Sequence, residues 1–341
     1  MKGKKEYIIL AAIIIAAAAY LMLRQTDRTH YQMPQVAEIS KKDITRIEIA
    51  GAGKTVRIDR RKDKWQIAPK DYPADAGKIN RILDTIAGLK LTAMVSELKD
   101  DQRYDLGPKK RITVKAWAGK TVKREFMVGK AANTFRHTFV KIAGDPRIFH
   151  AEDNFRDRFD VTVDALRDKT VLAFKAGDIK TIAITRDGRT TTFKKKDSGD
   201  KAGASDKKAE DKPAVSQAGA PVWQRADGQT ADPAKIHAFL AILADLACDT
   251  YPTGRTQSDL KDPVASIVLT GGKKTYRLTV YAKEKQGEEV RWPGQSSENA
   301  YIFLLPDWKA RDIVKDPADL MPKKPEKTPA AAAGKAAAAT Q

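Results

Sequence analysis

Asp43-Ile44-Thr45-Arg46-Ile47-Glu48-Ile49 returns 135 residues later as Asp178-Ile179-Lys180-Thr181-Ile182-Ala183-Ile184. Trp65-Gln66 returns 158 residues later as Trp223-Gln224. The two offsets differ by 23 residues, which fit within residues 195–221, a stretch of Lys, Asp, Gly, Ala and Ser with almost no apolar side chain. A repeat recovered by removing a visible insertion reads as duplication of one structural unit.

Each copy has the same grammar. Ile44, Ile47 and Ile49 lead through Gly51-Ala52-Gly53 to Val56 and Ile58, and Ile179, Ile182 and Ile184 lead through Asp187-Gly188 to Phe193. Short β-branched runs joined across glycine predict hairpins. A tryptophan strand follows, then Ala74-Asp75 or Ala231-Asp232, which sets an Asp at a helix N-cap. Ile79, Ile82, Leu83, Ile86 and Leu89 recur at helical spacing, and Ile236, Phe239, Leu240, Leu243 and Leu246 match them at a constant offset of 157. Both copies then turn β-rich, through Ile112, Val114, Phe126, Val140 and Ile148 in the first and Ile267, Leu278 and Phe303 in the second. Connections this short join antiparallel strands. The expected fold class is α+β: an N-terminal transmembrane helix followed by two tandem repeats of an antiparallel sheet with one main helix each.

Before the first copy, residues 7–23 form an unbroken apolar run, preceded by Lys2, Lys4 and Lys5. At about 1.5 Å per residue this run is slightly short of a full hydrocarbon core, yet longer than a typical signal-peptide core. Ala16 to Ala19 would supply a cleavage site, but Tyr20-Leu21-Met22-Leu23 continues the run beyond it. The expectation is an uncleaved anchor, with a cleaved signal peptide as the first alternative and a buried soluble helix as the second. Flanking lysines keep the N-terminus inside, so the bulk of the chain is expected in the periplasm, held to the inner membrane by a single pass. The expected organisation is cytoplasmic residues 1–6, the anchor 7–23, a linker 24–42, a first repeat 43–172 and a second repeat 178–316. The insertion 195–221 and the tail 322–341 are expected to be disordered, since neither has apolar side chains enough to offset chain entropy.

The chain carries a formal net charge of +19. Its bases are spread along the sequence among nearby acids, and no zinc-finger, helix-turn-helix or aromatic-basic pattern accompanies them, so no nucleic-acid partner is expected. A basic surface facing anionic lipid or wall polymer fits an exported chain better, and plain solubility accounts for the charge equally well. The one cysteine, Cys248, forms no intramolecular disulfide and reads as a small buried hydrophobe. His30, His137, His150 and His237 lie in no H-E-x-x-H or comparable pattern, and there is no G-x-S-x-G elbow or phosphate-loop motif. The acidic pairs Asp100-Asp101 and Glu288-Glu289 read as solvated faces, and Asp153-Asn154 as a turn or cap. The sequence therefore nominates no catalytic, cofactor-binding or metal-binding residue and no small-molecule substrate.

The order of these features resembles a known bacterial family, the domain of unknown function 4340. The resemblance is carried by the anchor, the Trp strand, Ala74-Asp75, Tyr104-Asp105-Leu106-Gly107-Pro108, Val128-Gly129 and Leu166-Arg167-Asp168-Lys169. The second copy keeps Asp259-Leu260 and Pro263. The resemblance implies a membrane-anchored companion of ABC-type transport systems of the kind related to gliding-motility auxiliary components. Together with the missing catalytic signatures, it points to a non-enzymatic accessory or scaffold. A binder of anionic envelope polymer is the alternative, followed by a hydrolase with an unrecognised site.

Overall fold

The structure, a computed structural model, describes residues 3–23, 32–51, 53–97, 100–196, 221–272 and 274–322. Two compact α+β units divide the chain between Asp168 and Lys169.

The first unit opens with helix α1 (Gly3–Leu23). Its strands are β1 (Arg46–Gly51), β2 (Lys54–Arg61), β3 (Lys64–Ile67), β4 (Tyr72–Pro73), β5 (Leu91–Ser96), β6 (Ile112–Ala118), β7 (Thr121–Ala131), β8 (His137–Ile142) and β9 (Ile148–Glu152). Among the described residues they form one antiparallel sheet in the order β4-β3-β2-β1-β6-β7-β8-β9-β5. Helix α2 (Ala76–Ala87) lies between β4 and β5 in the chain, and the short helices α3 (Arg156–Phe159) and α4 (Val163–Leu166) follow β9. Alternation sets the inner face: Ile47 and Ile49 are buried while Arg46 and Glu48 point away. Ile79, Ile82, Leu83 and Ile86 of α2 pack into the same core as Phe126, Phe149, Phe155 and Phe159. Burying each such side chain contributes about 1.5–3 kcal/mol. The Asp75 carboxylate caps α2 by accepting from the Lys78 amide at 2.9 Å.

The second unit contains β10 (Thr170–Ala173), β11 (Ile179–Arg186), β12 (Arg189–Lys196), β13 (Val222–Arg225), α5 (Pro233–Ala244), β14 (Asp245–Ala247), β15 (Pro263–Gly271), β16 (Thr275–Tyr281), β17 (Glu284–Gln286), β18 (Glu289–Ser296), β19 (Asn299–Pro306) and α6 (Asp307–Ile313). Its main antiparallel sheet runs β13-β12-β11-β15-β16-β18-β17, with β19 on β18. Asp232 caps α5, accepting from the Ala234 amide at 3.0 Å, with Pro233 in the first turn. Ile236, Phe239, Leu240 and Leu243 bury the inner face of α5.

Strand register repeats between the units, with the first hairpin and the tryptophan strand at the offsets read from the sequence. Arg60 pairs with Trp65, and Lys195 with Trp223. Glu48 pairs with Lys115, and Ala183 with Val268. Trp65 O accepts from the Ala74 amide at 3.0 Å, and Trp223 O from the Ala231 amide at 2.8 Å. Each helix cap is then strapped down by a later segment: the Asp75 amide donates to Leu166 O and the Asp232 amide to Leu320 O, both at 2.9 Å.

Several boundaries differ from the sequence reading. The first repeat stops at Asp168 rather than 172, because β10 pairs with β14 and belongs to the second unit. The second extends past 316, since Leu320 is buried in its core. The inserted stretch starts later than 195: Lys195 and Lys196 are strand residues, paired with Trp223 and Val222. Within the linker 24–42, Met33 and Ile39 pack on the first core and Ala37 O accepts from the Arg124 guanidinium. Leu89 and Leu246 are buried but lie beyond their helices, after the Gly88 cap and on β14 respectively. Residues 197–220 and 323–341, on which most of the expected disorder falls, lie outside the described residues, as do residues 24–31 of the linker.

Among the described residues no helix is long and apolar enough to cross a membrane. In α1 the continuous stretch of described side chains covers residues 9–20. All of these side chains are exposed, including Ile9, Leu10, Ile13, Ile14 and Ile15.

Candidate functional site: the outer faces of the two sheets

Each sheet buries one face under its helix, so any ligand must use loops, edges or the outer face. Among the described residues no group of His, Cys, Asp and Glu is placed to hold a metal ion. His237 is exposed on α5, Cys248 is buried in the second core, and His30 lies outside the described residues. The acidic pairs also have structural places. Glu289 accepts from Arg291 Nε at 3.1 Å. Asp153, at a positive φ of 76°, accepts from the Asn154 amide at 2.7 Å. Asp101 is only partly solvated: Lys141 Nζ donates to its carboxylate at 2.9 Å, which replaces the solvated-face reading of that residue.

In the first unit a short segment covers the outer face. The 3₁₀ turn Asp101–Tyr104 leads into Leu106, which is fully buried with Phe139 and Ile148 in a small second core. The Tyr104 ring lies 4.7 Å from that of Phe139. Gly129 permits this closure, because a Cβ there would collide with the Tyr104 carbonyl oxygen and press on Leu106. Two stretches that carry the family resemblance, Tyr104-Asp105-Leu106-Gly107 and Val128-Gly129, thus meet at one contact. His150 lies against this core, with its ring 4.8 Å from Phe139 and stacked 5.2 Å from His137. Its buried Nε2 has no hydrogen-bond partner among the described residues. Burial, aided by the neighbouring His137, pushes the His150 pKa below its ordinary value.

Farther along the same face, Asp59 sits between Arg46 and Arg57 at 2.7 and 2.9 Å. Burial alone would raise its pKa. The hydrogen bonds and charges of the two guanidiniums outweigh burial and hold the carboxyl below the usual range.

In the second unit the corresponding face is open. The pair Met127–Lys141 of the first sheet corresponds to Thr279–Gln295, and Lys115–Glu125 corresponds to Val268–Arg277. An open groove of about 440 Å³ lies here, lined by Gln257, Arg277, Thr279, Gln295, Asn299 and Tyr301 among others. Gln257 belongs to the 3₁₀ turn Gln257–Asp259, which follows β14 much as Asp101–Tyr104 follows β5. Tyr281 Oη donates to Gln295 Oε1 at 2.9 Å, so the amide's nitrogen is left for a ligand. Asn299 Nδ2 is committed to Tyr251 Oη at 3.0 Å and to Thr170 O at 3.1 Å. No hydrogen bond or ion pair engages the Arg277 guanidinium among the described residues. Sequence reading missed this groove. Its only trace there is the polar alternation of Thr275, Arg277 and Thr279 along one strand, which any exposed face would show.

Leu166-Arg167-Asp168-Lys169 also proves to be a strap. Leu166 is buried, the Arg167 guanidinium lies 3.8 Å from the centre of the Tyr72 ring, and the Asp168 amide donates to Pro73 O at 2.9 Å. Lys169 O accepts from the Cys248 amide at 2.8 Å within the second unit. Comparison with curated proteins and with solved structures gives no match. A family described as a domain of unknown function (DUF4340) matches residues 65–266, from the Trp65 strand into β15. That match spans more than half of the sequence and includes the helix cap, the closing segment, Gly129 and the strap, so the chain belongs to the DUF4340 family.

Proposed function

We propose that this chain is a non-enzymatic, single-pass module of the inner membrane, with both α+β units on the periplasmic side, acting as an accessory of an ABC-type transport or cell-envelope complex. The observation that carries the reading is α1, a helix whose described apolar side chains are all exposed to solvent. A helical run that is apolar on every side needs a non-aqueous surrounding, and lipid suits a run that starts at Tyr7 and is preceded by Lys2, Lys4 and Lys5. The accessory role draws its support from the family resemblance and from the architecture, in which α+β units offer sheet edges such as β4 and β13 for a partner strand. The test is purification of the tagged full chain from detergent-solubilised membranes. Recovery of an ATPase and a permease in stoichiometric amounts is expected, and recovery of the chain alone at several detergent strengths would contradict the accessory role.

A second reading, binding of anionic wall polymer or lipid, is favoured by the net charge of +19. Under it, pelleting with isolated cell wall falls steeply as salt rises.

A further inference from the structure

We infer that the outer-face groove of the second unit is a binding site for a carboxylate-bearing saccharide. The inference starts from what the two units place at corresponding register positions. In the first unit Lys115 faces Glu125 across the strand pair with Nζ–Oε1 at 3.1 Å, Lys141 is paired to Asp101, and Tyr104 and Leu106 cover the face. In the second unit Val268 stands where Lys115 stands, and Arg277 where Glu125 stands. The cross-strand partner is gone and the charge is reversed. Gln295 replaces Lys141, and the apolar Met127 position becomes Thr279. One surface is closed by a small core and ion pairs, and the other is a groove whose polar groups face outward.

The chemistry of the lining selects the ligand. Amide and hydroxyl side chains both donate and accept, as vicinal sugar hydroxyls require. Tyr301, 36% exposed at the groove, offers a flat ring to the C–H face of a pyranose. Arg277 is the one charged residue of the lining, and a guanidinium binds a carboxylate in a two-pronged, charge-assisted manner. An extended peptide would need a free strand edge, whereas the groove lies over Thr279–Gln295, which are already paired. A lipid chain would need an apolar lining. The lysine-rich cleft around Lys180, Lys195 and Lys274 is a separate place that lacks an aromatic platform of comparable exposure.

This site needs no transporter partner, so its failure and that of the accessory role are read by different experiments. The test is calorimetric titration of the full chain in detergent with N-acetylmuramic acid, glucuronic acid and tri-galacturonic acid, each beside a neutral counterpart (N-acetylglucosamine, glucose and maltotriose). At least one acidic sugar is expected to bind ten times or more tightly than its counterpart. Arg277→Gln should lower that affinity at least tenfold, and Tyr301→Ala should weaken both members of the pair. Glu125→Gln in the first unit should leave binding unchanged, and an unshifted melting curve shows that each variant is folded. Equal binding of acidic and neutral sugars, binding untouched by Arg277→Gln, or competition by inorganic phosphate at the same affinity would each overturn the inference.

Discussion

Arg277 lies directly opposite Val268 in the second sheet, at the register position where the first sheet sets Glu125 against Lys115. The exchange leaves a guanidinium on the outer face with a neutral neighbour. Val268→Glu should restore a cross-strand ion pair and stabilise the second unit by about 0.2–1 kcal/mol. Thermal unfolding at low salt measures it. An unchanged or lowered midpoint would mean that Arg277 is already satisfied.

Leu106 and Gly129 hold the closing segment on the first sheet from its two sides. Leu106→Ala should cost about 2–5 kcal/mol by leaving a cavity in the small outer core. Gly129→Ala should displace Tyr104 from Phe139, seen as faster hydrogen exchange in residues 101–106. Exchange there at the rate of the unaltered chain would show that the segment is not held by this contact.

His150 predicts a pH dependence confined to the first unit. Between its ordinary pKa of 6.5 and its lower folded value, the unfolded chain binds a proton that the folded chain does not. Stability is therefore full above about pH 6.5 and declines as pH falls towards the folded value. His150→Phe should flatten this slope between pH 7.5 and 5.5 in urea titrations. A slope of the same size in the variant would assign the effect elsewhere.

Asp59 acts at lower pH and with its own window. Its folded pKa lies below its usual 3.8, so its contribution is present above that value and is lost as pH falls through the folded one. Asp59→Asn should cost about 1–2 kcal/mol at neutral pH, and almost nothing once the native carboxyl is protonated. Equal destabilisation at both extremes would point to lost packing instead of lost charge.

Leu83 and Leu240 occupy matching places on α2 and α5, each 4% exposed and each in the core of its own unit. Each Leu→Ala change should cost about 2–5 kcal/mol in its own unit, and the double variant should show the sum. Peptide-resolved hydrogen exchange separates the two units, and a strongly non-additive result would merge their cores.

Much of the scaffold is written in local patterns. The Asp75 and Asp232 caps, the i, i+3, i+4 spacing of Ile79, Ile82 and Leu83, and the alternation of Ile47 and Ile49 depend on near neighbours, and a sequence displays near neighbours directly. Helix ends were less legible, because Leu89 and Leu246 keep the helical phase while burying themselves from a turn and a strand. The ownership of residues 169–172 depends on β10 meeting β14, more than 70 positions away. The groove was hidden for a different reason. Arg277 gains meaning only when register places Val268 opposite it and Gln257 near it, and neither relation leaves a periodic trace. Gly129 shows the converse, a residue recognisable as part of a motif whose purpose, admitting the Tyr104 carbonyl, emerges only from the packing.

The most direct test of the proposed function is the topology of the anchored chain. Spheroplasts expressing the full protein are treated with protease from outside, and their membranes are then washed with alkaline carbonate. The account predicts that both units are digested in intact spheroplasts and that undigested chain stays in the membrane pellet after the wash. Release of the full-length chain into the wash, or protection of both units until the spheroplasts are lysed, would contradict it.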